Sequence, residues 1–271
     1  MYFDSHTHIN NEGYSEEERA ELIKAIEESE VDTVVDIGFD VSSSRLAAEH
    51  AKTYSWCYAA AGCHPHDAET MTEEKLEEIR EIAKSEKVVA IGEIGLDFHY
   101  DLSPRDIQRE WFRRQIRLAL ELKMPIVIHA READREVMDI LLEEGAFSEE
   151  RKSCFPARKD GTGDARVLLH CFSGSAEFAM EYVRLGATIS VAGPVTYKNN
   201  KKTVAVVQTV PLDYLLAETD APYLTPVPLR GRPNMSPYIE HTVRRICLIK
   251  GISEEEAAAA TKANAQRFFG I

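Results

Sequence analysis

Six residues spread along the chain carry side chains suited to binding a metal ion or moving a proton: His6, His8, Glu93, His129, His170 and Asp220. His6 and His8 stand two apart in Asp4-Ser5-His6-Thr7-His8, behind a short apolar run. Side chains at i and i+2 of a strand share a face, so two imidazoles at this spacing reach one cation if the strand end stays regular. Glu93 follows Ala90-Ile91-Gly92, His129 follows Ile126-Val127-Ile128, His170 follows Val167-Leu168-Leu169, and Asp220 follows Ala217-Glu218-Thr219. Any one of them alone reads as a helix cap or a packed polar residue. As a set they each sit where an apolar run ends, and burying so many ionisable groups together without a cation is costly.

The apolar runs define the elements that must position these groups. Strands are expected at Tyr2 to His6, Thr33 to Gly38, Tyr58 to Gly62, Val88 to Gly92, Ile126 to His129, Val167 to His170, Ala187 to Val191 and Tyr214 to Glu218. Between them lie amphipathic stretches with helix starts: capping boxes at Ser15-Glu16-Glu17-Glu18 and Thr70-Met71-Thr72-Glu73, and a cap before a first-turn proline at Ser103-Pro104. Continuous apolar strands separated by helices imply a parallel sheet covered on both faces. Eight such units favour a closed (β/α)8 TIM barrel, α/β in class, whose active site lies at the C-terminal strand ends. Strand ends one, four, five, six and eight then present the six residues to one face. A Ser253-Glu254-Glu255-Glu256 capping box opens a last helix, at about 253–269, expected outside the barrel. With no composition break, residues 1–271 read as a single domain. The segment at about 145–165, with Pro156, Gly161 and Gly163, is longer than an ordinary connection and is expected as a solvated insertion at the N-terminal face.

Formal net charge is −14, from 46 acidic and 32 basic side chains. That excludes broad electrostatic adhesion to nucleic acid or membrane, so a polyanionic substrate must be met by a local basic patch or by metal. No run approaches the length of a membrane span, and the N-terminus enters a strand without signal-peptide features. Five scattered cysteines without a C-x-x-C pair fit reduced thiols. The expectation is a cytoplasmic protein with no membrane association and no obligate protein partner.

Six segments in order resemble the signatures of the TatD-like metal-dependent hydrolases, also described as TatD-type deoxyribonucleases. They are Asp4-Ser5-His6-Thr7-His8, Gly62-Cys63-His64-Pro65-His66, Gly92-Glu93-Ile94-Gly95-Leu96-Asp97, Ile128-His129-Ala130-Arg131, His170-Cys171-Phe172-Ser173-Gly174 and Glu218-Thr219-Asp220-Ala221-Pro222-Tyr223. The resemblance spans nearly the whole chain and implies an amidohydrolase-type TIM barrel with two divalent metals. By position it implies that His6, His8, Glu93 and Asp220 hold one ion, and Glu93, His129 and His170 the other. A carboxylate can bridge two cations, which suits Glu93. Imidazole and carboxylate donors suit zinc, manganese, iron or nickel, whereas family usage points to magnesium.

The chemistry expected is hydrolysis of a phosphodiester by a metal-activated water, with Asp220 taking the proton. DNA, as single strands or frayed ends, is the expected substrate. Expected substrate contacts are His64 and His66 after the third strand, Arg131 two residues beyond His129, and Lys198 and Arg232 in the loops after strands seven and eight. The alternative for Arg131 is a salt bridge to Glu132 or Asp134. The segment Arg230-Gly231-Arg232-Pro233-Asn234-Met235-Ser236-Pro237 departs from the Arg-Asn-Glu-Pro pattern common in the family. Two other readings remain: an amidohydrolase-like enzyme cleaving a small ester, lactone or amide, and a non-enzymatic binding protein that keeps the metals.

Overall fold

A computed structural model describes residues 1–271. Eight parallel strands form one sheet in sequential order: β1 Tyr2–Thr7, β2 Val31–Ile37, β3 Cys57–Ala61, β4 Val88–Asp97, β5 Ile126–Arg131, β6 Val167–Leu169, β7 Thr188–Val191 and β8 Leu215–Ala217. The chain beyond β8 returns to β1, where Ala221 bridges Thr7 and the Asp220 amide donates to His6 O at 2.9 Å. The barrel is thus a (β/α)8 TIM barrel whose last seam closes through the residues expected to do chemistry. Ten helices surround it: α1 Glu16–Glu27, α2 Val41–Thr53, α3 Glu73–Ala83, α4 Arg105–Glu121, α5 Asp134–Glu143, α6 Glu149–Ser153, α7 Ala176–Leu185, α8 Lys201–Thr209, α9 Ile239–Lys250 and α10 Glu254–Phe269. None is long and apolar enough to cross a membrane.

The strands carry apolar residues on both faces because both are buried. Outward residues such as Val34, Ala59, Ile91, Ile128 and Ile189 pack against Ile26, Ala47, Ile79, Ile116 and Val206 of the helices. Inward residues Phe3, Val35, Ala60, Ala90, Val127, Leu168 and Leu216 form a separate cluster that α10 completes with Phe268 and Phe269. Phe3 and Phe269 stack with centroids 6.0 Å apart. The last helix therefore does more than lie outside the barrel: its end closes the N-terminal mouth.

Two helix starts differ from expectation. Thr72, and not Thr70, caps α3 by accepting from the Lys75 amide, because Thr70 ends a 3-10 turn. Ser103 does not cap α4; its hydroxyl donates to His66 O and accepts from the Glu69 amide, tying two loops together. The boxes at Ser15 and Ser253 place their serine hydroxyls on the amides of Glu18 and Glu256.

The segment at 145–165 is exposed over much of its length but is anchored by buried residues. It contains α6 and buries Arg151, Arg158 and Asp164. Arg151 donates to Met124 O and Ala165 O, at the entries of β5 and β6. Arg158 Nη2 reaches Asp164 Oδ1 at 3.0 Å, Gly186 O at 3.1 Å, Ala187 O at 3.2 Å and Thr188 Oγ1 at 2.9 Å. The guanidinium lies over the Tyr214 ring at 4.2 Å. One charged side chain thus satisfies acceptors at the entries of β6 and β7. Without Arg158, Asp164 keeps Arg267 as a cation, but the buried Gly186 and Ala187 carbonyls lose a donor, at a cost of about 1–3 kcal/mol. Arg158→Ala should lower stability by about that amount in urea titration while leaving metal binding at the opposite barrel end unchanged; a loss within ~0.5 kcal/mol, the usual range for a surface change, would contradict this role.

Candidate metal centre

Strict alternation would not bring the six residues together. In β5 and β6, Val127 and Leu168 point inward, so His129 and His170 two residues on do too. In β1 and β4, alternation from Phe3 and Ala90 would send His6, His8 and Glu93 outward. Both strands contain an extra residue: Asp4 to Thr7 stands opposite Val34 to Asp36, and Ile91 to Ile94 stands opposite Ile126 to Ile128. Each irregularity acts as a bulge that turns the following side chains into the barrel mouth. The regular strand end expected for the His6 and His8 pair is therefore corrected, although both rings still reach one place. Gly95, at φ 153°, permits the β4 to β5 approach, since a Cβ there would lie 1.9 Å from His129 O.

The Glu93 carboxylate lies at the centre. Its Oε2 faces His6 Nε2 at 3.4 Å and His8 Nε2 at 3.8 Å. Asp220 Oδ1 is 3.8 Å and 3.5 Å from the same two nitrogens, which are 3.2 Å apart. Donors at about 2.1 Å around a tetrahedral ion stand about 3.4 Å apart, so this group has the spacing of a cation site. Glu93 Oε1 faces the other way, 2.8 Å from both His129 Nδ1 and His170 Nε2, which are 3.5 Å from each other.

The far nitrogens fix which protons these rings carry. His8 Nδ1 bonds Ile37 O at 2.9 Å, His129 Nε2 bonds Asp97 Oδ2 at 3.0 Å, and His170 Nδ1 bonds Glu218 Oε1 at 3.3 Å. Each of those partners only accepts, so each ring donates there; its other nitrogen meets Glu93 as a lone pair when the ring is neutral and as an N–H when it is protonated. A carboxylate surrounded by lone pairs is repulsive unless positive charge sits between them. Protons or metal ions must supply it. Burial works against charged imidazoles, yet Glu93 and Glu218 push His170 well above the usual histidine range. Glu93 is driven well below the carboxylate range: burial opposes ionisation, but the charge of His170 and the hydrogen bonds of His129 and His170 outweigh it. Asp220 is also lowered, burial being outweighed by the His8 hydrogen bond and the charges of His170 and His6.

His64 reaches the same centre in a different role. Its Nδ1 accepts from the His66 amide at 3.1 Å, so Nε2 carries the proton and points at Glu93 Oε1 from 3.6 Å. Burial, then the charge of His129, hold His64 well below the usual range and neutral. It is a buried donor directed at Glu93. His66 instead bonds Asp97 Oδ2 at 3.0 Å. Arg131 makes no salt bridge to Glu132 or Asp134; its guanidinium lies 4.6 Å over the Tyr100 ring, while Glu132 pairs with His99. Lys198 lines a cleft of about 520 Å³ with Tyr197, Asn199, Asn200, Val227 and Arg230, and no carboxylate. Arg230, and not the expected Arg232, is the arginine in that lining.

Three supporting residues escaped the sequence reading. Asp97, fully buried, holds His129 and His66 and accepts from the His99 and Tyr100 amides. Glu218, also fully buried, bonds His170 and the Cys171 amide, and lies with His6 and His170 in a cluster whose ligand atoms are within 4.8 Å. Asn234 donates to Thr219 O and Tyr223 O, fixing the turn in which Asp220 adopts φ 55°. Asp97 and Glu218 were accessible through period two, being four residues from Glu93 and two from inward Leu216. Asn234 had no local signal.

The whole chain is similar to known proteins. The family described as TatD related DNase matches residues 3–270. The chain is 44% identical over 271 residues, all of both chains, to the protein named uncharacterized metal-dependent hydrolase YabD of Bacillus subtilis. It is 32% identical to the 3'-5' ssDNA/RNA exonuclease TatD of Erwinia amylovora, over 94% of each. The solved structure of YjjV, a TatD homologue from Escherichia coli, superposes with a TM-score of 0.86 at 28% identity, covering 100% of this chain and 98% of that one. This chain therefore belongs to the TatD family of metal-dependent hydrolases.

Proposed function

We propose that this chain is a two-metal nuclease that cleaves phosphodiester bonds at single-stranded or frayed DNA ends. The observation that carries the metal assignment is the ring of imidazole nitrogens around both oxygens of Glu93. In this reading His6, His8, Glu93 and Asp220 would hold one ion, and Glu93, His129 and His170 would hold the other. Imidazole-rich sets of this kind suit zinc, manganese or nickel, and magnesium if water completes the shell. Divalent ions bound there acidify a water and polarise a phosphoryl oxygen.

The chain's own residues then have distinct tasks. Asp220 stays ionised, with Oδ1 turned to the histidine pair, and its carboxylate accepts the proton from the attacking water. His64 presents Nε2–H to a phosphate oxygen without carrying charge. Arg131, free of carboxylate partners, and the acid-free cleft of Lys198 and Arg230 supply local positive charge on a chain of net charge −14. Arg232, exposed two residues after Arg230, is a further candidate phosphate contact. The relative named as an ssDNA/RNA exonuclease supports the substrate class.

The function is tested with purified protein, several divalent metals, labelled single-stranded DNA and a carboxyl ester. Metal-dependent cleavage of DNA, abolished by chelation, is expected; faster turnover of the ester than of DNA would favour the small-molecule reading. Glu93→Ala should lose turnover and most bound metal while keeping the barrel's circular dichroism, and full metal content with normal turnover would contradict the assignment. Asp220→Asn should lower kcat by about a hundredfold or more, as expected for losing a general base. If only one to three phosphates are neutralised, DNA binding should weaken with salt at a slope of about 0.7 per phosphate. Arg131→Ala should reduce kcat/KM on DNA by about 1.5–3 kcal/mol and spare an uncharged ester; equal losses on both would remove its phosphate role.

A further inference from the structure

The rim of the centre carries two exposed tyrosines that the hydrolytic chemistry leaves unused. Tyr100 follows β4 and Tyr223 follows β8, strands on opposite sides of an eight-stranded barrel. Each is 54% exposed, unusual for a large aromatic side chain. Each also stands three residues beyond an acid of the centre and is fastened to it. The Tyr100 amide donates to Asp97 Oδ1 at 2.9 Å, and the Tyr223 amide donates to Asp220 O at 2.8 Å. Tyr100 meets His66 edge-on at 5.5 Å, and Tyr223 meets His8 at 6.3 Å. Arg131 backs the Tyr100 ring, and Asn11 Nδ2 donates to the Tyr223 hydroxyl at 3.1 Å. Both rings are thus held in place while remaining open to solvent.

We infer that Tyr100 and Tyr223 are two nucleobase-stacking shelves, one on each side of the scissile phosphate. The inference rests on the nuclease reading above. A base has a π-face whatever its sequence, so a flat ring binds it without discriminating, and Arg131 adds its planar guanidinium to the Tyr100 shelf. Only unpaired bases can splay apart onto two shelves across a barrel mouth; bases within a duplex remain stacked on each other. The arrangement therefore selects single strands over duplex, with a minimal substrate carrying a base on both sides of the cleaved bond.

The test compares an intact short single strand with the same strand made abasic at the two nucleotides flanking the cleaved bond. For the wild-type holoenzyme, kcat/KM should fall on the order of tenfold or more on the abasic strand. Tyr100→Leu and Tyr223→Leu keep apolar bulk but lose the ring, and each should narrow that intact-to-abasic ratio. A 2-aminopurine base at either flanking position should be quenched on binding to metal-free wild type and less so with the matching variant. Strand cleavage with an unchanged ratio and unchanged quenching in both variants overturns the shelves alone. If wild type cleaves no strand yet hydrolyses the carboxyl ester, the nuclease reading falls and the shelves fall with it.

Discussion

The rest of the centre depends on one carboxylate. Glu93 is buried with Oε2 toward His6 and His8 and Oε1 toward His129 and His170. Three of those rings have their other nitrogens committed to Ile37 O, Asp97 and Glu218. Such an arrangement is stable only with positive charge between Glu93 and the rings, which protons or metal ions supply. The requirement explains why the acids behind the histidines are themselves buried. Asp97 and Glu218 hold ring orientation, and a ring free to flip would offer an N–H where a lone pair is needed.

The two ends of the barrel answer different physical needs. At the C-terminal end, bulges in β1 and β4 sacrifice regular pairing to turn three side chains inward. At the N-terminal end, Phe268 and Phe269 fill the interior, and Arg151 and Arg158 satisfy strand-entry carbonyls. The irregular backbone at one end is thus anchored to a sealed, well-packed other end. Such a division lets the loops after the strands carry the chemistry without carrying the stability.

Sequence patterning made the barrel legible because eight apolar runs alternate with capped amphipathic stretches, and the six central residues each end such a run. It could not show the bulges, since an extra residue in a strand leaves no mark on composition; His6, His8 and Glu93 arrive together only because of them. The 145–165 segment reads as polar and Gly-containing, yet Arg158 is buried, because its charge is met by carbonyls and Asp164 from distant parts of the chain. Arg131 likewise sits next to Glu132 in sequence but turns to Tyr100, while Glu132 is taken by His99. Adjacency in sequence does not decide the partner of Arg131, whereas period-two spacing puts Asp97 on the same side of β4 as Glu93.

The central proposal is that Glu93 would bridge two cations. Crystals of the protein grown with manganese or zinc and measured at wavelengths on either side of the metal's absorption edge give a direct answer through anomalous difference density. Two peaks about 3.5 to 4 Å apart, one against Oε2 and the other against Oε1 of Glu93, are the expected result. A single peak, or peaks away from that carboxylate, would contradict the account.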